Sequence, residues 1–171
     1  MSREVSPDSL KGTEMKAIVQ RVNYANMIID EKEHSSIGVG FMVLLGVADG
    51  DTDKDMEVLC DKIAKLRIFT DENDKMNLSL AQVAERGTDT AVMVVSNFTL
   101  CGNCSHGNRP EFFGAAAPDE ANRLYEAFVE RMRTVHNLRV ETGVFGAHMH
   151  VQIENNGPVT LIIDSADLKK K

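Results

Sequence analysis

Phe41-Met42-Val43-Leu44-Leu45-Gly46-Val47 is the stretch that decides the fold. The run is of strand length, far short of the roughly 20 residues a membrane-spanning helix needs, and its unbroken apolar character fits a central strand buried on both faces. Gly38 and Gly40 punctuate its start and the turn Ala48-Asp49-Gly50 ends it. Upstream, Ala17 to Val22 and Tyr24 to Ile29 are apolar stretches separated by little more than Asn23, which predicts paired or bent strands. Downstream, Asp51 or Thr52 can cap a helix in which Met56, Leu59, Cys60, Ile63 and Leu66 recur at helical spacing. Ala91 to Phe98 predicts a second buried strand. Pro118 at a first helical position, followed by Asp119 and Glu120, opens the clearest helix, striped by Ala121, Leu124, Tyr125, Phe128, Val129 and Met132. Met149, Val151 and Ile153 then alternate with His148, His150, Gln152 and Glu154, as in a half-buried strand. Asn155-Asn156-Gly157-Pro158 is predicted to turn the chain into a last strand, Val159 to Asp164.

This order of elements describes one mixed α/β domain over residues 15–164, with two main helices packed on a largely antiparallel, mixed β-sheet. The strands after Gly146 read as one-sided, which leaves a sheet face for another subunit to cover. The 171 residues, 43% hydrophobic and 26% charged, suit a single domain that needs neither disulfide nor metal for stability. Residues 1–14 are polar and lack the features of a secretory signal, so they are expected to form a disordered extension. Residues 165–171 are expected to form a basic tail, with Lys169, Lys170 and Lys171 as a solvated end. Three cysteines without a signal segment point to free thiols in a reducing, cytoplasmic setting, with no membrane partner. A net charge of -7 argues against non-specific coating of nucleic acid, which depends on neutralising many phosphates.

Four local patterns could carry chemistry. Cys101-Gly102-Asn103-Cys104, with His106 close by, has the spacing of a zinc knuckle or redox pair, but a second cysteine pair is absent and the surrounding Gly, Asn and Pro suit a plain loop. His148 and His150 share one strand face, either as ligands or as exposed polar positions. Ser96-Asn97-Phe98-Thr99-Leu100 places hydroxyls and backbone amides where a buried strand runs into a loop, although no Ser-His-Asp spacing supports activation of either hydroxyl. Asn155 to Thr160 is either a simple chain turn or a rigid backbone edge presented to a ligand.

The last two patterns together resemble the D-aminoacyl-tRNA deacylases, often called D-tyrosyl-tRNA deacylases, from Met15 to about Asp164. Met15 to Val22 is similar to the family's opening strand and Leu44 to Val47 to its third. Lys62 to Phe69, Lys75 to Ser79, Asn108-Arg109-Pro110 with Phe112 and Gly114-Ala115-Ala116, and Glu141 to Ala147 follow in the family's order. The resemblance implies a homodimeric hydrolase that cleaves the ester joining a D-amino acid to the 3′ end of tRNA, with glycyl-tRNA a second candidate substrate and no cofactor or metal. The family's Ser-Gln-Phe-Thr-Leu motif implies a catalytic set of Ser96, Asn97, Phe98 and Thr99. Its cis Gly-Pro, which enters the other subunit's pocket and excludes L side chains, corresponds to Gly157 and Pro158, held by Arg21, with Ala147 and Met149 also contacting substrate. Rigid backbone at the α-carbon suits an enzyme that accepts many D side chains, since side-chain pockets discriminate by size and not by handedness.

Two residues depart from the family pattern. Asn97 replaces Gln, and Cys101 stands where Tyr is usual. The alternatives are a sibling deacylase with a trans Gly-Pro that clears L-alanyl-mischarged tRNA, and a non-enzymatic nucleic-acid-binding protein. Arg21 and the Phe98 position favour the D-specific branch over the first, and the acidic charge argues against the second.

Overall fold

The structure, a computed structural model, describes residues 14–169, so the expected extension lies outside it apart from Glu14. The elements are β1 (Lys16–Ile29), β2 (Lys32–Ile37), β3 (Gly40–Gly46), α1 (Asp53–Ala64), β4 (Phe69–Thr70), β5 (Met76–Leu78), α2 (Leu80–Glu85), β6 (Ala91–Ser96), α3 (Pro118–Thr134), β7 (Val140–Thr142), β8 (His150–Asp164) and α4 (Ser165–Lys169). The mixed α/β domain expected from sequence is present. β1 is one long strand, and β2 and β3 run antiparallel to it in succession along one edge. Asp30 and Glu31, both at positive φ, form the two-residue turn that matches strand twist in a hairpin. β6 adds parallel to β3 and β7 parallel to β6, while β8 pairs antiparallel with the other edge of β1.

One face of the sheet packs against the helices through Ala17, Val19, Phe41, Val43 and Leu45, which meet the apolar stripes of α1 and α3. Thr52 caps α1, and Asp55 accepts the Thr52 N–H at 2.9 Å. Pro118 occupies the first turn of α3, and the stripe read from sequence is the buried face. Asp61 joins the two helices by accepting Arg131 Nε and Nη2 at 2.8 and 2.9 Å. The opposite face carries a second cluster around Met27, Met42, Met93 and Val95, to which no helix contributes among the described residues.

Two expectations need correction. The chain does not reverse at Asn155 to Pro158. Both halves of β8 pair with β1 in the same antiparallel sense, Val22 opposite Asn155 and Gln20 opposite Thr160, so the segment between bulges out opposite Arg21. Asn155 stabilises this bulge by accepting the Val159 N–H at 2.8 Å through its side chain. Lys169 is not a solvated end. It lies on α4 with its ammonium 2.7 Å from both Asp55 Oδ1 and Glu14 Oε2, because Asp55 is buried and requires a cation.

Candidate active site

β3 and β6 are parallel and end together, Leu45 opposite Ser96. Ligands of α/β sheets gather beyond the carboxyl ends of such strands. A cleft of about 750 Å³ opens there, floored by Leu44, Val95 and Ser96 and walled by Ala115, Ala116 and the segment Phe145 to Met149. From Ser96 the chain enters a single 3-10 turn, Phe98–Cys101, seated on β3 by the bond from Asn97 N–H to the Leu45 carbonyl at 2.8 Å. Gly46 permits this seating, since a Cβ there would stand 2.8 Å from Leu100 Cβ and 3.2 Å from the Asn97 carbonyl.

The shorter side chain at position 97 has a definite consequence. Its amide oxygen caps the turn, accepting the Thr99 N–H at 3.2 Å and the Thr99 hydroxyl at 2.5 Å. The backbone donor fixes which amide atom faces inward, so the hydroxyl must donate, and an amide oxygen is no base for its proton. The Thr99 N–H is therefore engaged, whereas the Phe98 N–H has no acceptor among the described residues. Phe98 itself is 57% exposed and meets Phe112 edge-on, ring centroids 5.2 Å apart.

The cleft brings together Ser96, Asn97, Phe98, Thr99, Ala147 and Met149. Gly143 leaves room for Met149, because a Cβ on it would meet the Met149 sulfur and come within 3.0 Å of Met27 Cε. Arg21, Gly157 and Pro158 do not line the cleft of the same chain. They form a second group at the β8 bulge. Buried Arg21 donates through Nε to the Asn156 carbonyl at 2.9 Å and through Nη1 to the Ile68 carbonyl at 2.7 Å. The Gly157-Pro158 bond is cis, and both residues face solvent. Gly157 adopts φ 139°, where a Cβ would press on Val159 and Arg21.

The remaining candidate ligands are dispersed. Cys101 is buried with its thiol on the Val47 carbonyl at 3.4 Å, burial raising its pKa, while Cys104 is exposed. His148 and His150 lie side by side with ring centroids 5.0 Å apart. Sequence reading missed a cluster of Cys60, Asp61 and His136, whose potential ligand atoms lie within 4.8 Å of one another. Its chemistry suits structure better than metal: Arg131 and His136 occupy the Asp61 carboxylate and hold its pKa down to about 2, and burial pushes the Cys60 thiol up to about 12. Asp51, offered by the sequence only as a helix cap, does not line the cleft but is buried next to its wall. It accepts Ala48 N–H at 2.6 Å and Met15 N–H at 3.0 Å, and it supports the strand-like bridge from Ala48 to Ala115 on the cleft wall. Burial pushes its pKa up to about 7.

Among known proteins, a family model described as D-Tyr-tRNA(Tyr) deacylase matches residues 18–164. The chain is 50% identical over 151 residues to a D-aminoacyl-tRNA deacylase of Thermosipho melanesiensis, covering 88% of this chain and 97% of that protein. It is 49% identical over 154 residues to a D-aminoacyl-tRNA deacylase of Thermotoga petrophila, covering 90% and 99%. The solved structure of a c-Myc DNA unwinding element binding protein superposes with a TM-score of 0.79 at 37% identity, over 87% of this chain and 97% of that one. A probable eukaryotic D-amino acid tRNA deacylase shares the fold with a TM-score of 0.74 at 20% identity, over 88% and 98%.

Proposed function

Because the chain belongs to the D-Tyr-tRNA(Tyr) deacylase family, we propose that it hydrolyses the ester of D-aminoacyl-tRNA, releasing the D-amino acid and free tRNA as a proofreading step of translation. The observation that carries this reading is the cleft itself, which offers an unpaired backbone N–H at Phe98 and no activated side-chain nucleophile. Water attacks the ester carbonyl, the Phe98 N–H stabilises the developing oxyanion, and the bond to the ribose 3′-oxygen breaks with that oxygen taking a proton. The neighbouring ribose 2′-hydroxyl positions the water, and Ser96 and Thr99 orient the substrate.

The active unit is a homodimer in which the partner's bulge completes the cleft. Support comes from the separation of the site residues: Gly157 and Pro158 are solvent-facing and outside the cleft of their own chain. β8 is a long edge strand with only β1 beside it, and such an edge is ordinarily covered by another element or subunit. The Gly157-Pro158 backbone then faces the substrate α-carbon and rejects L side chains by shape, with Arg21 holding the bulge from behind. The protein works in the cytoplasm without membrane attachment. No helix among the described residues is long and apolar enough to cross a membrane.

The test is hydrolysis of tRNA charged with D-Tyr, L-Tyr, Gly and L-Ala by one purified sample. Cleavage of D-Tyr-tRNA with L-Tyr-tRNA spared is expected, and preferential cleavage of L-Ala-tRNA would instead assign the sibling activity.

A further inference from the structure

Residues 103–113 carry chemistry that the cleft does not use. Asn103 and Glu111 exchange backbone hydrogen bonds of 2.8 and 3.0 Å, and Asn103 Nδ2 donates to Glu111 Oε1 at 2.7 Å, which closes the base of a projecting loop. Phe112, just past that base, packs edge-on against Phe98 and so fixes the loop beside the cleft mouth. The next residue, Phe113, is 89% exposed, an unusual position for a phenyl ring. Arg109 lies exposed in the same loop without a hydrogen bond or ion pair among the described residues. The other described arginines, from Arg21 to Arg139, each hold a carbonyl or carboxylate. The one acidic side chain of the loop, Glu111, is already bonded to Asn103.

An unengaged guanidinium and a solvent-facing ring carried on one short segment is the combination that binds unpaired nucleic acid, the cation meeting a phosphate and the ring stacking on a base. We propose that this loop docks the single-stranded nucleotides preceding the aminoacylated end of tRNA, Phe113 stacking on a base and Arg109 pairing with a phosphate. The proposal rests on the deacylase reading and gives an acidic protein a local cationic and aromatic foothold on its substrate.

The experiment compares Phe113→Ala and Arg109→Ala with wild type on D-Tyr-tRNA and on D-Tyr-adenosine, which has the ester but none of the upstream nucleotides. Phe113→Ala is expected to raise KM for the tRNA about tenfold while leaving the adenosine ester unaffected. Arg109→Ala is expected to weaken the tRNA substrate alone and to reduce the salt slope of log KM by about 0.7. Affinity for uncharged tRNA, which requires no hydrolysis, is expected to fall in parallel. An unchanged affinity and KM overturns the proposal, as does an equal loss on both substrates. Dissociation of a dimer by Phe113→Ala also overturns it, by assigning the ring to a subunit interface. Failure of the wild type to hydrolyse either ester refutes the deacylase reading separately, and the binding measurement still decides the role of the loop.

Discussion

Arg21→Ala removes the buried side chain that ties the β8 bulge to the body of the sheet, leaving the exposed bond from Asn156 Nδ2 to Asn23 Oδ1 at 3.2 Å. The guanidinium is buried and holds two carbonyls, Ile68 at 2.7 Å and Asn156 at 2.9 Å. Hydrogen bonds from a charged donor contribute about 1.5–3 kcal/mol each. The Asn156 carbonyl belongs to an exposed residue that water can reach, whereas Ile68 is only 8% exposed and loses its partner outright. The expected cost is about 2–4 kcal/mol, a fall in Tm of roughly 4–16 °C at the ~2–4 °C per kcal/mol of a domain this size. Arg21→Lys restores little, because a point ammonium cannot replace a fork aimed at two acceptors. Thermal melts followed by circular dichroism supply the first readout. At 25 °C, with the variant still folded, loosening of the bulge is expected to lower kcat/KM for D-Tyr-tRNA about tenfold, equivalent to ~1.4 kcal/mol. A Tm within ~2 °C of wild type together with full activity would refute the view that Arg21 positions the bulge.

Three further outcomes follow from the geometry. Thr99→Ala is expected to retain D-specific hydrolysis with a loss near ~10²-fold, since the hydroxyl already donates to Asn97 and the proposed mechanism gives it only a positioning role; a folded but wholly inactive variant would restore Thr99 as nucleophile. Gly143→Ala displaces only the flexible ends of Met149 and Met27, so Tm should change little while KM for bulky D-aminoacyl esters changes, and steady-state kinetics on D-Tyr- against D-Ala-tRNA measures the difference. Asp51 has a folded pKa raised to about 7, so its contribution is fully present below its unfolded pKa near 4 and lost as pH rises through 7. Asp55 and Asp61, both lowered to about 2, act oppositely and lose their contribution as pH falls from about 4 toward 2. Melts across pH 3–8 should therefore show a Tm decline above pH 4 that Asp51→Asn flattens.

The fold was most legible where one physical signal dominated. The apolar run at Phe41, the periodic stripe of α3 and its Pro118 start were readable because burial and capping chemistry point the same way. β2 escaped notice because Lys32-Glu33-His34-Ser35-Ser36 is polar, and its pairing is imposed by the hairpin turn and by β1. The bulge at Asn155 to Pro158 looked like a chain reversal because turn residues mark a local departure from the strand without saying where the chain goes next. The pairing of Lys169 is hidden in sequence for a related reason: its partner Asp55 is more than a hundred residues away. The motif Ser96 to Leu100 marks the cleft, but the Asn97 cap that engages both the amide and the hydroxyl of Thr99 depends on the geometry of the folded turn, which no residue pattern states.

Subunit mixing tests the central claim, a deacylase cleft completed by its partner. Thr99→Ala damages the cleft, and Gly157→Ala places a Cβ in the bulge that, in the proposed dimer, faces the other subunit's substrate, so each homodimer alone should be nearly inactive. In a mixed dimer formed by co-refolding, both defects fall on one site and the other site is intact. Random 1:1 mixing makes half of the dimers mixed, so D-Tyr-tRNA hydrolysis should recover to about a quarter of the wild-type rate with L-Tyr-tRNA still spared. Activity no greater than the average of the two parent variants, with mixed dimers verified by mass spectrometry, would contradict a site shared between subunits.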